Sequence, residues 1–265
     1  CGASVVYQRD LKYRTHSFVK FHPESVTSLS AEVMSAYYSE LRFEPQNHNN
    51  QLRVICTLIN FAKAQGYLPD TIDLLKAVSR KKTGKASYPI YQPHELEALL
   101  DGANDEMLPP LVLLGFCGVR PNEMRRLSWR DIRFESRTLV IDAMKAKTAS
   151  RRTVPICEAA LMLLHQFKGP EGPIWGRKSD FWSKALNRLH RKVGVKQLPN
   201  ALRHSYISYR LTLTGDVNRT ALEAGNSANV IHSNYHALVE DPREADHWFE
   251  VGLEREGEMI RAVAG

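Results

Sequence analysis

Cysteine is scarce in this 265-residue chain: Cys1, Cys56, Cys117 and Cys157 stand far apart, with no Cys-x-x-Cys pair. That usage excludes a disulfide framework and a cysteine-built zinc site, and it fits a reducing compartment. Cys56 and Cys117 lie in apolar helical runs and read as small core residues. Long apolar runs are lacking too. Each is broken by charge or proline before it could span a bilayer. No signal peptide is visible, and the opening Cys-Gly-Ala-Ser, without a Met, reads as a processed or trimmed start. There is no internal repeat and no low-complexity segment.

What is present is basic charge, unevenly placed. The formal net charge is +7, which permits a polyanionic partner without requiring one. Five basic residues and no acid lie between Lys76 and Lys85, and eight basic residues stand against Asp180 alone between Arg177 and Arg203. After Leu238 the sign reverses: Glu240, Asp241, Glu244, Asp246 and Glu250 outweigh Arg243. One such run alone reads as a solvated face. Two basic blocks with an acidic tail point to a nucleic-acid groove and a tail that stays off it.

The hydrophobic pattern predicts a mainly α protein with a small antiparallel sheet, an α+β class. Helices are expected from Ser4 to about Phe21, behind Ser30 as an N-cap, and from Pro45 through the stripe Leu52, Ile55, Cys56, Ile59 and Phe61 to Gly66. Asp70 to Lys76 reads as one more short helix. Residues 1–79 would thus form a helical domain, 80–87 a polar, basic, Gly-containing linker, and 88–265 a second domain. In that second part, Pro93 opens a helix to Leu100, Pro109 to Cys117 forms an apolar helix ended by Gly118, and Pro121 starts a short one. Ile132, Phe134 and Leu139 to Ile141 suggest two strands. Thr153 to Ile156 suggests a third, which Pro155 limits to an edge or an end. From Glu158 the pattern is helical again, with a turn at Lys168 to Pro173.

Four polar boxes stand out against this frame. Cutting DNA without a metal needs fixed cations at the attacked phosphate, a nucleophile, and a donor for the departing oxygen. Arg120 sits at a break between two helices, with Glu123 three residues on to brace it. Lys147 lies in a polar turn between two strands, from which it can swing and deliver a proton. Arg203 follows the apolar Leu202 in Asn200-Ala201-Leu202-Arg203-His204-Ser205. Gly225-Asn226-Ser227 precedes Tyr235 and His236. Each box alone has a bland reading: a helix-capping Arg, a solvated turn, a core or interface Tyr. An unperturbed Tyr, with a pKa of about 10, is a weak nucleophile. Nearby cations would stabilise its phenolate.

In this order and spacing the four boxes resemble the tyrosine recombinase (phage integrase) family. The resemblance covers most of Tyr88 to Phe249 and extends loosely to the N-terminal helices, which look like that family's core-type DNA-binding domain. It implies a site-specific recombinase or integrase. Tyr235 would attack the scissile phosphate and form a 3′-phosphotyrosine link, Arg120 and Arg203 would hold the non-bridging oxygens, and Lys147 would protonate the leaving 5′ oxygen. A second strand's 5′-hydroxyl would then release Tyr235. No cofactor, ATP or metal is implied. The implied partners are double-stranded DNA, further copies of the chain in a tetramer on synapsed DNA, and accessory DNA-bending proteins. The implied setting is the bacterial cytoplasm and nucleoid.

Two positions depart from the family pattern. Asn200 stands where His is usual, and Asn226 where His or Trp is usual. An amide can still donate to a phosphate oxygen, but it cannot act as acid or base near neutral pH. His204, His232 and His236 lie close in sequence and could substitute, with His236 the first choice and a structural role its rival. His232 and His236 are also spaced as a helix-borne metal pair, without an evident third ligand. DNA contacts are expected from Arg80, Lys81, Lys82 and Lys85 in the linker, which would cross the duplex as two domains clamp it. Further phosphate contacts are expected from Arg151, Arg152, Lys184, Arg188 and Arg191. Behind Pro242, Ala245, Trp248 and Phe249 predict a tail helix that packs on its own domain or docks on a neighbouring protomer. Two rival readings stay open: a type IB topoisomerase-like enzyme that relaxes DNA, and a DNA-binding relative whose catalysis is impaired.

Overall fold

The computed structural model describes residues 5–71, 73–74, 76, 78–84, 88–144, 151–167, 171–176, 179–235 and 239–253. The chain divides into two units, Cys1–Ala86 and Ser87–Gly265. Each has its own apolar core. Among the described residues no helix is long and apolar enough to cross a membrane.

The first unit is built on helices α1 (Val5–Phe21), α2 (Ala31–Glu40) and α3 (Pro45–Ala64). Ser30 caps α2: its side chain accepts the Val33 N–H at 3.3 Å. Pro45 opens α3, where its missing N–H costs no hydrogen bond. The core centres on Tyr37, with Phe18 edge-on at 4.9 Å and the Gln51 amide donating to the Tyr37 hydroxyl at 2.7 Å. Asp70 to Lys76 is not helical in its described residues but forms turns anchored by the buried Leu74. So short a segment with one apolar anchor has too little burial to offset helix nucleation. The basic segment beyond it begins tied to α3. The Asn49 side chain exchanges two 2.9 Å hydrogen bonds with the Lys81 backbone, and His48 Nε2 lies 3.1 Å from the Ser79 carbonyl. Arg80, Lys81 and Lys82 are exposed, and Lys85 falls outside the described residues.

The second unit places nine helices around a small sheet among its described residues. They are α4 (Pro93–Gly102), α5 (Leu108–Phe116), α6 (Pro121–Met124), α7 (Glu158–His165), α8 (Ser179–Val193), α9 (Ala201–Thr214), α10 (Val217–Ala224), α11 (Ala228–Tyr235) and α12 (Arg243–Glu250). Strands β1 (Ile132–Arg133), β2 (Thr138–Ile141) and β3 (Arg152–Pro155) pair antiparallel in that order, with Leu139 opposite Val154 and Ile141 opposite Arg152. Pro155 closes β3 on the sheet edge, where no partner needs its N–H.

Helix α5 is apolar on every side and wholly buried, packed between α7 and α9. Gly118 turns the chain out of it at φ +58°, and a Cβ there would stand 2.1 Å from the Tyr206 ring. Only glycine fits both demands. The tail helix α12 packs on its own unit, against α4, α7 and α9. Trp248, fully buried, stacks on Tyr209 at 4.8 Å and donates its indole N–H to the Gly115 carbonyl at 3.0 Å. Trp248→Ala would empty that seat and orphan the carbonyl. The expected cost is about 3–5 kcal/mol, read as a lower urea midpoint for the second unit's near-UV transition.

Candidate active site

The helix break after α5 delivers Arg120 as predicted, but its setting is tighter than a surface brace. Arg120 is the N-cap of α6, and its backbone N–H donates to the Glu123 carboxylate at 3.0 Å while its Nη1 donates to the same group at 3.0 Å. Glu123 is 1% exposed. It also receives the Arg152 guanidinium, at 2.6 Å and 3.2 Å. A carboxylate this deeply buried is tolerable only because cations and N–H donors surround it.

Arg203 enters from the first turn of α9, 6% exposed. Its guanidinium donates to the carbonyls of Gly118 and Ala224 and, at 3.1 Å, to Asn226 Oδ1. Arg120 Nη2 reaches the same Asn226 oxygen at 2.6 Å and the Gly225 carbonyl at 2.6 Å. Gly225 ends α10 at φ +63°, and that turn swings its carbonyl and Asn226 toward the two arginines. Two guanidiniums from segments far apart in sequence thus share one amide oxygen. Burial and the neighbouring Arg120 push Arg203 down to about 9, so it keeps its charge at neutral pH.

Tyr235 ends α11, 4% exposed. Its hydroxyl lies 2.8 Å from His204 Nδ1. Tyr88 packs against both rings, edge-on to His204 at 4.8 Å and tilted against Tyr235 at 5.2 Å. The expected lowering of the Tyr235 pKa does not occur: burial pushes it up to about 12, outweighing Arg203 and Arg120. Burial and the Arg203 charge push the His204 imidazole down to about 4, so the ring is neutral.

The remaining predicted residues fall in several places. Asn200 is exposed and caps α9 in a left-handed conformation, φ 54°, which Asn tolerates better than most residues. Lys147 and His236 lie outside the described residues, and His232 is exposed. Arg151, Lys184, Arg188 and Arg191 are exposed, Arg151 being 3.6 Å from Asp142. Arg152 corrects the prediction of a phosphate contact. Strand alternation turns it inward beside Val154, and its guanidinium is held by Glu123 and the Glu223 carbonyl.

Sequence reasoning missed Glu223, a buried carboxylate that takes Arg210 at 2.8 Å and 2.9 Å, Arg219 at 3.1 Å and the Tyr206 hydroxyl at 3.1 Å. Burial raises its pKa, but those donors outweigh burial and leave it lowered. The i,i+4 spacing of Arg219 and Glu223 was its one readable signal. No motif in the sequence singles out Tyr88.

The phage integrase family model matches residues 91–221. Among solved structures, a lambda integrase dimer bound to a COC′ core site is similar at 14% identity, TM-score 0.71, over 91% of this chain and 92% of that one. The Tn1549 transposon integrase in complex with a circular intermediate DNA is similar at 14% identity, TM-score 0.68, over 96% and 95%. The XerA recombinase is similar at 15% identity, TM-score 0.51, over 92% and 91%. At these identities the likeness is one of fold. No curated protein matches the chain.

The inward setting of Arg152 is checked by stability. Arg152→Ala leaves Glu123 short of a buried partner and is expected to cost about 3–5 kcal/mol, while the exposed Arg151→Ala stays within about 0.5 kcal/mol. Urea unfolding of the two variants decides between them.

Proposed function

The chain belongs to the phage integrase family through residues 91–221 and is a tyrosine-type site-specific recombinase, and we propose that Tyr235 is the residue that attacks the DNA. Its hydroxyl oxygen would displace the 5′ oxygen of the scissile phosphodiester and hold the 3′ phosphate covalently. A 5′-hydroxyl from a second strand would then reverse the step, and the bond energy would be conserved through the exchange.

The observation that carries the reading is the convergence of Arg120, Arg203 and Asn226, with Tyr235 close enough for both guanidinium charges to act on its hydroxyl. Two fixed cations suit the two non-bridging oxygens of a phosphate whose charge grows in the transition state. Asn226 turns its oxygen to the arginines, which leaves its amide N–H groups for a phosphate oxygen. Lys147 is proposed as the acid for the leaving 5′ oxygen, and Glu123 braces Arg120. A site decaying into a binding module has no need to keep this arrangement.

Double-stranded DNA is the substrate. The exposed Arg80, Lys81, Lys82, Arg151, Lys184, Arg188 and Arg191 are proposed phosphate contacts, with Lys85 beside them in sequence. Strand exchange between two sites requires more than one copy, and a tetramer on synapsed DNA, aided by DNA-bending proteins, is the proposed assembly.

On a nicked duplex carrying a verified target, the protein is expected to form a covalent protein–DNA adduct that is lost with Tyr235→Phe and kept with the exposed Tyr67→Phe. No adduct on such a target would sink the reading. Adduct with plasmid relaxation but without joining of two sites would instead favour a topoisomerase. Arg188→Ala is expected to lower the slope of log K against log salt by about 1; an unchanged slope would remove that residue from the interface.

A further inference from the structure

Accepting Tyr235 as the nucleophile leaves one proton without an acceptor. With its pKa pushed up to about 12, the hydroxyl ionises unaided in about one molecule in 10⁵ at pH 7. Asn200 cannot take a proton. His204, in the first turn of α9, can. Resting on that reading of Tyr235, we propose that His204 is the general base of the cleavage step, accepting the Tyr235 proton directly at Nδ1.

Three observations support this. The first is distance: Nδ1 and the Tyr235 oxygen are already at 2.8 Å, within the range for direct transfer. The second is orientation. Tyr88 packs against both rings, and α9 fixes His204 next to Arg203, so one helical turn supplies a phosphate-holding guanidinium and a proton acceptor. The third is charge state. Among the described residues, the groups facing the imidazole are Arg203 on its own helix, Tyr235 from α11 and Tyr88 from the segment before α4. Burial and Arg203 keep the ring neutral, the form that can accept. A phosphate bound at Arg203 offsets that cation and raises the ring's basicity where it is needed.

The step balances. The Nδ1 lone pair of the Nε2–H tautomer takes the Tyr235 proton as the Tyr235 oxygen–phosphorus bond forms. The phosphorus–O5′ bond breaks, and O5′ takes its proton from the separate acid assigned above to Lys147. In the return step the incoming 5′-hydroxyl gives its proton to the Lys147 amine, and the imidazolium of His204 restores the Tyr235 hydroxyl.

The test is single-turnover cleavage of a nicked duplex across pH, with the adduct mapped by digestion. His204→Asn places an amide near the Nδ1 position, where it can hydrogen-bond but cannot accept a proton. The variant is expected to bind DNA normally and cleave about 10²–10⁴-fold more slowly. It should lose the acidic limb of the wild-type profile and remain equally slow on DNA with a bridging 5′ sulfur, whose thiolate leaves without protonation. Added imidazole should restore adduct formation to His204→Ala. Cleavage by His204→Asn within threefold of wild type, an unchanged acidic limb, full recovery on the 5′-sulfur substrate, or no rescue by imidazole would each overturn the assignment. If the adduct still maps to Tyr235 in that event, only the base is wrong. An adduct mapped elsewhere would overturn the nucleophile with it.

Discussion

The Glu123 carboxylate is the point on which the arrangement of the second unit turns. It is 1% exposed and receives donors from α6 and β3, so a helix break and a strand are drawn to one anion. Arg120 is fixed through Glu123, and Arg152, also held by Glu123, reaches the Glu223 carbonyl at the end of α10. Glu223 gathers α9 and α10 through Arg210, Tyr206 and Arg219. The sheet, α6, α9 and α10 are therefore joined by two buried carboxylates, and Arg120, Arg203 and Asn226 are carried by that frame. Ion pairs of this kind add little net stability over apolar packing, but breaking one side is costly. Their contribution is orientation: few other geometries satisfy all the charges at once.

Much of the framework could be read from local chemistry. Proline at the first turn marked the starts of α3, α4 and α6, and Ser30 marked that of α2, because each signal concerns only orphan N–H groups nearby. The apolar run of α5 could be read for the same reason. The turn region at Asp70 to Lys76 could not, since its weak helical pattern says nothing about how little it buries. Arg151 and Arg152 are chemically alike, and both were expected at DNA. Strand period separates them: Arg152 shares a face with Val154, and the one-residue difference decides between core and solvent.

The candidate site shows the same divide. Arg120, Arg203, Asn226 and Tyr235 were legible as types at a spacing. Their mutual arrangement was not. In sequence His204, His232 and His236 stand as alternatives, with His236, adjacent to Tyr235, the first choice and His204 lying 31 residues before Tyr235. A helix-to-helix contact brings the distant one to the hydroxyl. The pKa of Tyr235 went astray for a related reason: the cations were visible in the sequence, while the burial that outweighs them belongs to the packed state.

The shared oxygen of Asn226 has a consequence for how the site meets an anion. Besides Glu123 on Arg120, the acceptors that hold both guanidiniums are neutral oxygens, from Asn226 and the carbonyls of Gly118, Ala224 and Gly225. A neutral acceptor fixes a cation's position without cancelling its charge, so this corner of the second unit is at once rigid and electropositive.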